Sequence, residues 1–169
     1  MGKKLLIIGA GGLAPEIEEL ARLLGYDTFG YLDDAPEKAR YSSVLGKISE
    51  MAAFRKDFPE AAVALGNNEA RLRFCNELIA CGYTLPVLIH PTAFVSPDAA
   101  LGEGSILRTR CVVSRFVTLG KACLINVGAL IDHDCVLGDG VHAAMGCVIR
   151  GAQTVPPLTH VRANTVIED

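Results

Sequence analysis

From Ile89 onward an aliphatic or near-aliphatic residue returns at every sixth position: Ile89, Val95, Leu101, Leu107, Val113, Leu119, Ile125, Ile131, Leu137, Ala143, Ile149, Val155, Val161 and Ile167. Ala143 is the one weak member of the series. Four places after each stands a mostly small residue: Ala93, Ala99, Ser105, Cys111, Val117, Cys123, Ala129, Cys135, Val141, Cys147, Gln153, Thr159 and Thr165. Helices repeat near 3.6 residues and extended strands near 2, so a period of six belongs to neither alone. It fits short strands joined at corners, the pattern of a parallel β-helix of hexapeptides. Three hexads then close a triangular coil of 18 residues, and about four and a half coils stack at roughly the 4.8 Å spacing of paired strands. The aliphatic residue fills the prism. The small residue shares the interior near a corner, where a larger side chain would clash.

The same register accounts for most of the cysteines. Cys111, Cys123, Cys135 and Cys147 occupy the small position, twelve residues apart, so consecutive ones fall on different faces. Cys111 and Cys147 share a face but lie two coils apart, too far for a disulfide. They are expected to behave as small buried hydrophobes. With Cys75 and Cys81 they form no CxxC pair, which argues against a zinc knuckle.

Residues 1–86 obey a different rule. Strand patterns at 4–8, 28–32, 61–65 and 85–89 alternate with helical ones at 13–24, 49–58 and 67–80. Such alternation predicts a small parallel-sheet α/β domain of Rossmann-like type. It is too short for a six-stranded dinucleotide fold, so one mononucleotide-sized ligand is expected. The boundary falls at 86–91, giving a nucleotide- or acceptor-binding domain over 1–86 and a β-helix over 87–169.

Composition narrows the partners. Half the residues are hydrophobic, yet no apolar run approaches the roughly 18 residues of a membrane span. The start, MGKKLLIIGAGG, reads as a first strand rather than a signal peptide. Net charge is −3, without a basic block, and Trp is absent, so neither nucleic acid nor membrane insertion is expected. Scattered thiols without export features point to a reducing cytoplasm.

Three segments of the α/β half could hold a ligand. GAGGLA, with Gly9, Gly11 and Gly12, joins a strand to a helix, where backbone N–H groups can meet a phosphate; it also reads as a tight turn. Asp33 and Asp34 end the second strand, where carboxylates accept hydrogen bonds from a ribose or base, or cap a turn. In GNNEAR, Asn67 or Asn68 either caps the next helix or faces the same cleft.

Four histidines remain. His90 precedes Pro91 at the domain junction and reads as structural. His142 and His160, 18 apart, should stack at one corner of adjacent coils. His133 and His142 lie nine apart, on different faces, unlike the grouped histidines of a zinc site; no metal is expected. His133 sits in IDHDC as the third residue of its hexad. Its ring therefore points outward from a flat face, and meets a neighbouring subunit if prisms pack in threes. With Asp132 or Asp134 to orient and polarise it, this imidazole has the make-up of a general base.

GAGG after the first strand, LDD at 32–34, LGNNEAR at 65–71 and NVGALIDHDCVLGDGVHAAMG at 126–146 together resemble the bacterial sugar acetyltransferases of the sialic acid O-acetyltransferase and UDP-amino-sugar N-acetyltransferase type. The resemblance implies a left-handed β-helix, a homotrimer, and acetyl-CoA as co-substrate in the groove between neighbours. It implies His133 as general base, Asp134 as its partner, His142 and Gly146 on the cofactor side, and Gly151 as an oxyanion donor. Gly9, Gly11, Gly12, Asp33, Asp34 and Asn67 would hold a sugar or nucleotide-sugar acceptor. Leu13 and Ala14 stand where that family carries a histidine and a glycine, which removes a polar contact to the acceptor. The chain ends at Asp169, before coils that shelter the adenine and phosphates of CoA in the family. The alternative readings are a non-catalytic trimeric nucleotide-binding scaffold, and an acetyltransferase for a small amino acid or alcohol.

Overall fold

The computed structural model describes residues 2–39 and 44–168. The chain divides into two compact units, Met1–Pro86 and Val87–Asp169.

The first unit is a four-stranded parallel sheet with helices between the strands. In chain order it runs β1 (Lys3–Ile8), α1 (Ala14–Leu23), β2 (Tyr26–Leu32), β3 (Val44–Gly46), α2 (Met51–Phe54), β4 (Glu60–Val63) and α3 (Asn68–Ala80). The strands lie in the order β3-β2-β1-β4. Leu5, Leu6, Ile7 and Ile8 are all fully buried, as an inner strand covered on both faces requires. The chain leaves β1 towards β2 on one side and returns as β4 on the other. The carboxyl ends of β1 and β4 thus flank a topological switch point, the usual place for a ligand in such sheets.

Several boundaries differ from the sequence expectation. The segment 49–58 is not one helix: a 3₁₀ turn at Ile48–Glu50 leads into the four-residue α2. The strand expected at 85–89 shrinks to Leu88–Ile89; it enters the coil stack as expected, pairing with Ile106–Leu107. β3 escaped the reading because three residues are too few to show a period; it pairs Tyr31 with Val44 and Leu32 with Gly46.

The second unit is a left-handed parallel β-helix. Its strands are two residues long and pair with the strand 18 positions away, as Leu130 does with Val148 and Ile131 with Ile149. Three sheets form the faces. Leu88–Ile89, Ile106–Leu107, Leu124–Ile125, His142–Ala143 and His160–Val161 make the first. Phe94–Val95, Val112–Val113, Leu130–Ile131, Val148–Ile149 and Val166–Ile167 make the second. Ala100–Leu101, Thr118–Leu119, Val136–Leu137 and Thr154–Val155 make the third.

The hexad series forms the prism interior. Leu107 to Val161 are buried, Ala143 fully so, while Ile89, Val95, Leu101 and Ile167 are partly covered. The four cysteines of the small position are buried free thiols. Desolvation pushes Cys111 up to about 12 and Cys147 to about 11, which keeps them unreactive. At the corners from Gly104 to Asn164, the fourth residue of the hexad takes a left-handed backbone. Gly104, Gly128, Gly140 and Gly146 do so, and so do Arg110, Phe116, Ala122, Asp134, Ala152, Leu158 and Asn164.

Candidate active site

His133 stands at a corner, not on a flat face as its place in the hexad suggested. It occupies the turn that leads from Leu130–Ile131 to Val136–Leu137. Its backbone is tied to both neighbouring coils. The Asp134 N–H donates to Arg115 O at 3.0 Å, and the Ala152 N–H donates to His133 O at 2.9 Å. The outward direction of the side chain is as expected, with 60% of it exposed.

Asp134 and Gly151 seat the ring, and Asp132 flanks it. Nδ1 lies 2.7 Å from Asp134 Oδ2. Asp134 reaches it from the left-handed backbone, φ +59, which a short polar side chain tolerates. Asp132 Oδ1 accepts from the His133 N–H at 2.8 Å, while its Oδ2 stands 3.9 Å from Nε2. Beneath the ring, one coil on, is Gly151: a Cβ there would meet His133 Cε1 at 2.8 Å and Nε2 at 2.9 Å. The glycine is therefore the floor on which the imidazole lies. The hydrogen bond that Asp134 accepts from the ring and the charge of Asp132 favour the imidazolium, so the pKa of His133 is raised from its ordinary value of 6.5. With Nδ1 engaged by a carboxylate, Nε2 is the nitrogen presented to a substrate.

A cleft of about 340 Å³ opens at this corner, lined by Asp132, His133, Arg150, Gly151, Gln153 and Glu168. Arg150 Nη1 donates to Glu168 Oε2 at 2.7 Å. Sequence reasoning missed Arg150, Gln153 and Glu168. Arg150 and Glu168 were legible in principle, since they lie 18 and 36 positions after Asp132 and so in its column.

His142 is not part of this cleft. It lies on the first face, opposite the corner that carries His133, between the second and third. Its ring stacks on His160 with centroids 4.5 Å apart and planes 13° apart. The stacking was expected, but the pair sits along a strand rather than at a corner. The Asn126 amide meets His142 Nε2 at 3.0 Å, and Asn126 Oδ1 accepts from Arg108 Nη1 at 2.7 Å. Gly146 is at a third corner with φ +65, where a Cβ would come within 2.5 Å of Asn164 Oδ1. The left-handed turn together with the closeness of Asn164 favours glycine there.

In the α/β unit the other candidates converge on the carboxyl ends of the strands, and most have structural work. Asp33 Oδ2 accepts from Ala10 N at 2.7 Å and its Oδ1 from Ala35 N at 2.8 Å, so it shapes the glycine loop. Asp34 Oδ1 accepts from Ile48 N at 3.0 Å. Asn67 caps α3, its Oδ1 accepting from Ala70 N at 2.8 Å. Gly9 has φ +93 and packs against Leu65, so the fold itself requires it. Gly11, Gly12 and Gly66 differ: nothing lies within 4 Å of a Cβ built on any of them. Arg71, fully buried, donates to Leu65 O at 3.1 Å and to Asn68 Oδ1 at 2.9 Å, holding the loop after β4 in shape.

Comparison with known proteins follows the same two units. Residues 4–78 match the PglD N-terminal domain family. Over 106 residues the chain is 24% identical to the GDP-perosamine N-acetyltransferase of Escherichia coli O157:H7, covering 63% of this chain and 48% of that protein. The chain thus spans about half the length of this curated relative. A histidine-to-asparagine mutant of perosamine N-acetyltransferase from Caulobacter crescentus, solved with CoA and GDP-perosamine, superposes with a TM-score of 0.86 at 27% identity, over 98% of this chain and 88% of that one. The acetyltransferase domain of PglB from Neisseria gonorrhoeae FA1090 superposes with a TM-score of 0.84 at 32% identity, over 98% and 91% of the two chains. Its complex with acetyl coenzyme A gives 0.81 at the same identity, over 91% and 85%. A hexapeptide prism preceded by a PglD-type α/β unit, shared along nearly the whole length with these enzymes, means that the chain belongs to the sugar acetyltransferase family of PglD, PglB and the perosamine N-acetyltransferases.

Proposed function

We propose that this protein transfers the acetyl group of acetyl-CoA to an amine or hydroxyl of a nucleotide sugar, with His133 as general base. The observation that carries the reading is the imidazole itself: Nδ1 fixed by Asp134, the ring laid on Gly151, and Nε2 turned to an open cleft. Acetyl-CoA and a nucleotide-sugar acceptor come from the relatives solved with CoA, acetyl coenzyme A and GDP-perosamine. His133 Nε2 takes the proton of the acceptor as it attacks the thioester carbon. The backbone N–H of Gly151 steadies the charge that develops on the carbonyl oxygen. Asp134 holds the ring and stabilises the imidazolium that forms.

A homotrimer is part of the reading. His133 and His142 lie on opposite sides of one prism, so a single protomer does not bring both to one thioester; adjacent prisms would. The second face offers a surface for such packing. Its outward row, Phe94, Val112, Leu130, Val148 and Val166, is wholly apolar, with Phe94 60% exposed. In the α/β unit, the open space at Gly11 and Gly12, with Gly9, Asp33, Asp34 and Asn67 around the strand ends, is the acceptor's expected seat. No helix among the described residues is long and apolar enough to cross a membrane. A cytoplasmic setting, where acetyl-CoA is made, suits the free thiols.

The test is His133→Ala, assayed by thiol release from acetyl-CoA with nucleotide-linked amino sugars. Turnover should fall by about 10²–10⁴-fold, with CoA binding retained. An unchanged kcat removes His133 as the base.

A further inference from the structure

Asp132 is not needed to orient His133, because Asp134 already holds Nδ1. Its Oδ2 instead lies 3.9 Å from Nε2, the nitrogen left for the acceptor. That separation is long for a direct hydrogen bond, and suits one donor group seated against both atoms. The carboxylate is itself fixed, since its Oδ1 accepts from the His133 N–H at 2.8 Å. Its side chain is half exposed and lines the cleft. The other charges of the cleft do not cancel it. Two carboxylates, Asp132 and Glu168, line it against one guanidinium, Arg150, so the cleft keeps a net negative charge. A group that donates to a carboxylate and to a neutral imidazole together, and gains from negative charge, is an ammonium. A hydroxyl, with one proton, satisfies one of the two.

We propose that Asp132 is the specificity residue that makes the acceptor an amine: it docks the protonated sugar amine beside Nε2 and disfavours the corresponding alcohol. This rests on the acetyl-transfer reading and decides between its two acceptor classes. The balance is as follows. The docked R–NH₃⁺ loses one proton to water past Asp132, whose side chain is half exposed. The nitrogen lone pair of R–NH₂ forms the C–N bond to the thioester carbon, and the C=O π pair moves onto oxygen. His133 Nε2 takes the second proton from nitrogen. The pair on oxygen returns, the C–S bond breaks with its electrons on sulfur, and the imidazolium proton passes to that sulfur. Amide, thiol and one proton in water are the products, and His133 ends neutral.

The experiment uses the full chain with CoA, which permits no turnover, and measures acceptor binding by calorimetry at pH 7. The probes are GDP- and UDP-linked amino sugars, GDP-perosamine among them, each paired with the sugar that has a hydroxyl in place of the amine. Asp132→Asn keeps an oxygen for the His133 N–H and removes the charge. A charge-assisted hydrogen bond at a half-exposed site is worth about tenfold in Kd. The amine should therefore bind about tenfold more weakly to the variant, while Kd for CoA and for the hydroxyl sugar stays constant. Wild type should prefer the amine of each pair and release thiol from acetyl-CoA with it. Equal affinity of wild type and Asp132→Asn for the amine, or equal affinity of wild type for amine and alcohol, overturns the assignment and leaves acetyl transfer standing. Thiol release with neither member of any pair removes acetyl transfer, and the role of Asp132 with it.

Discussion

Gly151→Ala separates catalysis from folding at a single carbon atom. The added Cβ would sit 2.8 Å from His133 Cε1, 2.9 Å from Nε2 and 3.4 Å from Nδ1. Carbon contacts settle near 3.5–4.0 Å, so the ring must lift by about 1 Å. The lift carries Nδ1 off the line on which it meets Asp134 at 2.7 Å and moves Nε2 from the place it presents to the acceptor. A misplacement of about 1 Å in a reacting group costs about 10²-fold in rate, or about 2.7 kcal/mol of activation free energy. Folding is affected little, because the atom in the way is the end of an exposed side chain. Gly151 is also outside the left-handed region, so alanine fits its backbone and stabilises by about 0.4–1 kcal/mol through the unfolded chain. Thiol release and calorimetric melting should show kcat down about 10²-fold with Tm unchanged or up by roughly 1–4 °C. Gly146→Ala should do the reverse to stability: at φ +65, with Asn164 Oδ1 2.5 Å from the new Cβ, it lowers Tm. A Gly151→Ala protein that turns over at the wild-type rate refutes the imidazole's dependence on its floor.

The pKa of His133 is raised, and the base acts only when neutral, so kcat/KM should climb with pH through a limb above pH 6.5. Asp134→Asn removes the largest cause of the shift and should move the limb down towards 6.5; a limb that stays put means another group titrates. Leu130→Asp puts a charge in the middle of the apolar outward row and should dissociate the assembly, read by light scattering; an unaltered mass places the contact on another face.

How much of this was legible depends on whether a feature repeats. The prism interior was, down to Ala143, because the same burial demand recurs every six residues. So was the outward direction of His133. Its corner position was not, because the turn signal is carried by the left-handed fourth residue of the hexads from Gly104 to Asn164. Gly104, Gly128, Asp134, Gly140, Gly146 and Asn164 show that phase in types that favour this backbone, but Arg110, Phe116, Ala122, Ala152 and Leu158 obscure it. Features that occur once left little trace. β3 is too short for a pattern, and no spacing marks Arg71 as the buried side chain that holds the loop after β4. In the α/β unit residue type alone did not divide scaffold from ligand contacts. Asp33, Asp34 and Asn67 have the chemistry of an acceptor site, and each also satisfies a backbone N–H of the fold.

The seat of His133 on Gly151 spans one full turn of the prism, 18 positions, and this sets which changes of length the domain tolerates. Removing six residues between them would keep every aliphatic side chain inside, because the burial pattern repeats at six. It would also rotate everything downstream by one face, bringing Pro157 rather than Gly151 under the imidazole. Loss or gain of a whole circuit instead preserves each column and leaves its chemistry aligned. Folding thus counts in sixes and catalysis in eighteens, so an indel invisible to stability can still silence the enzyme.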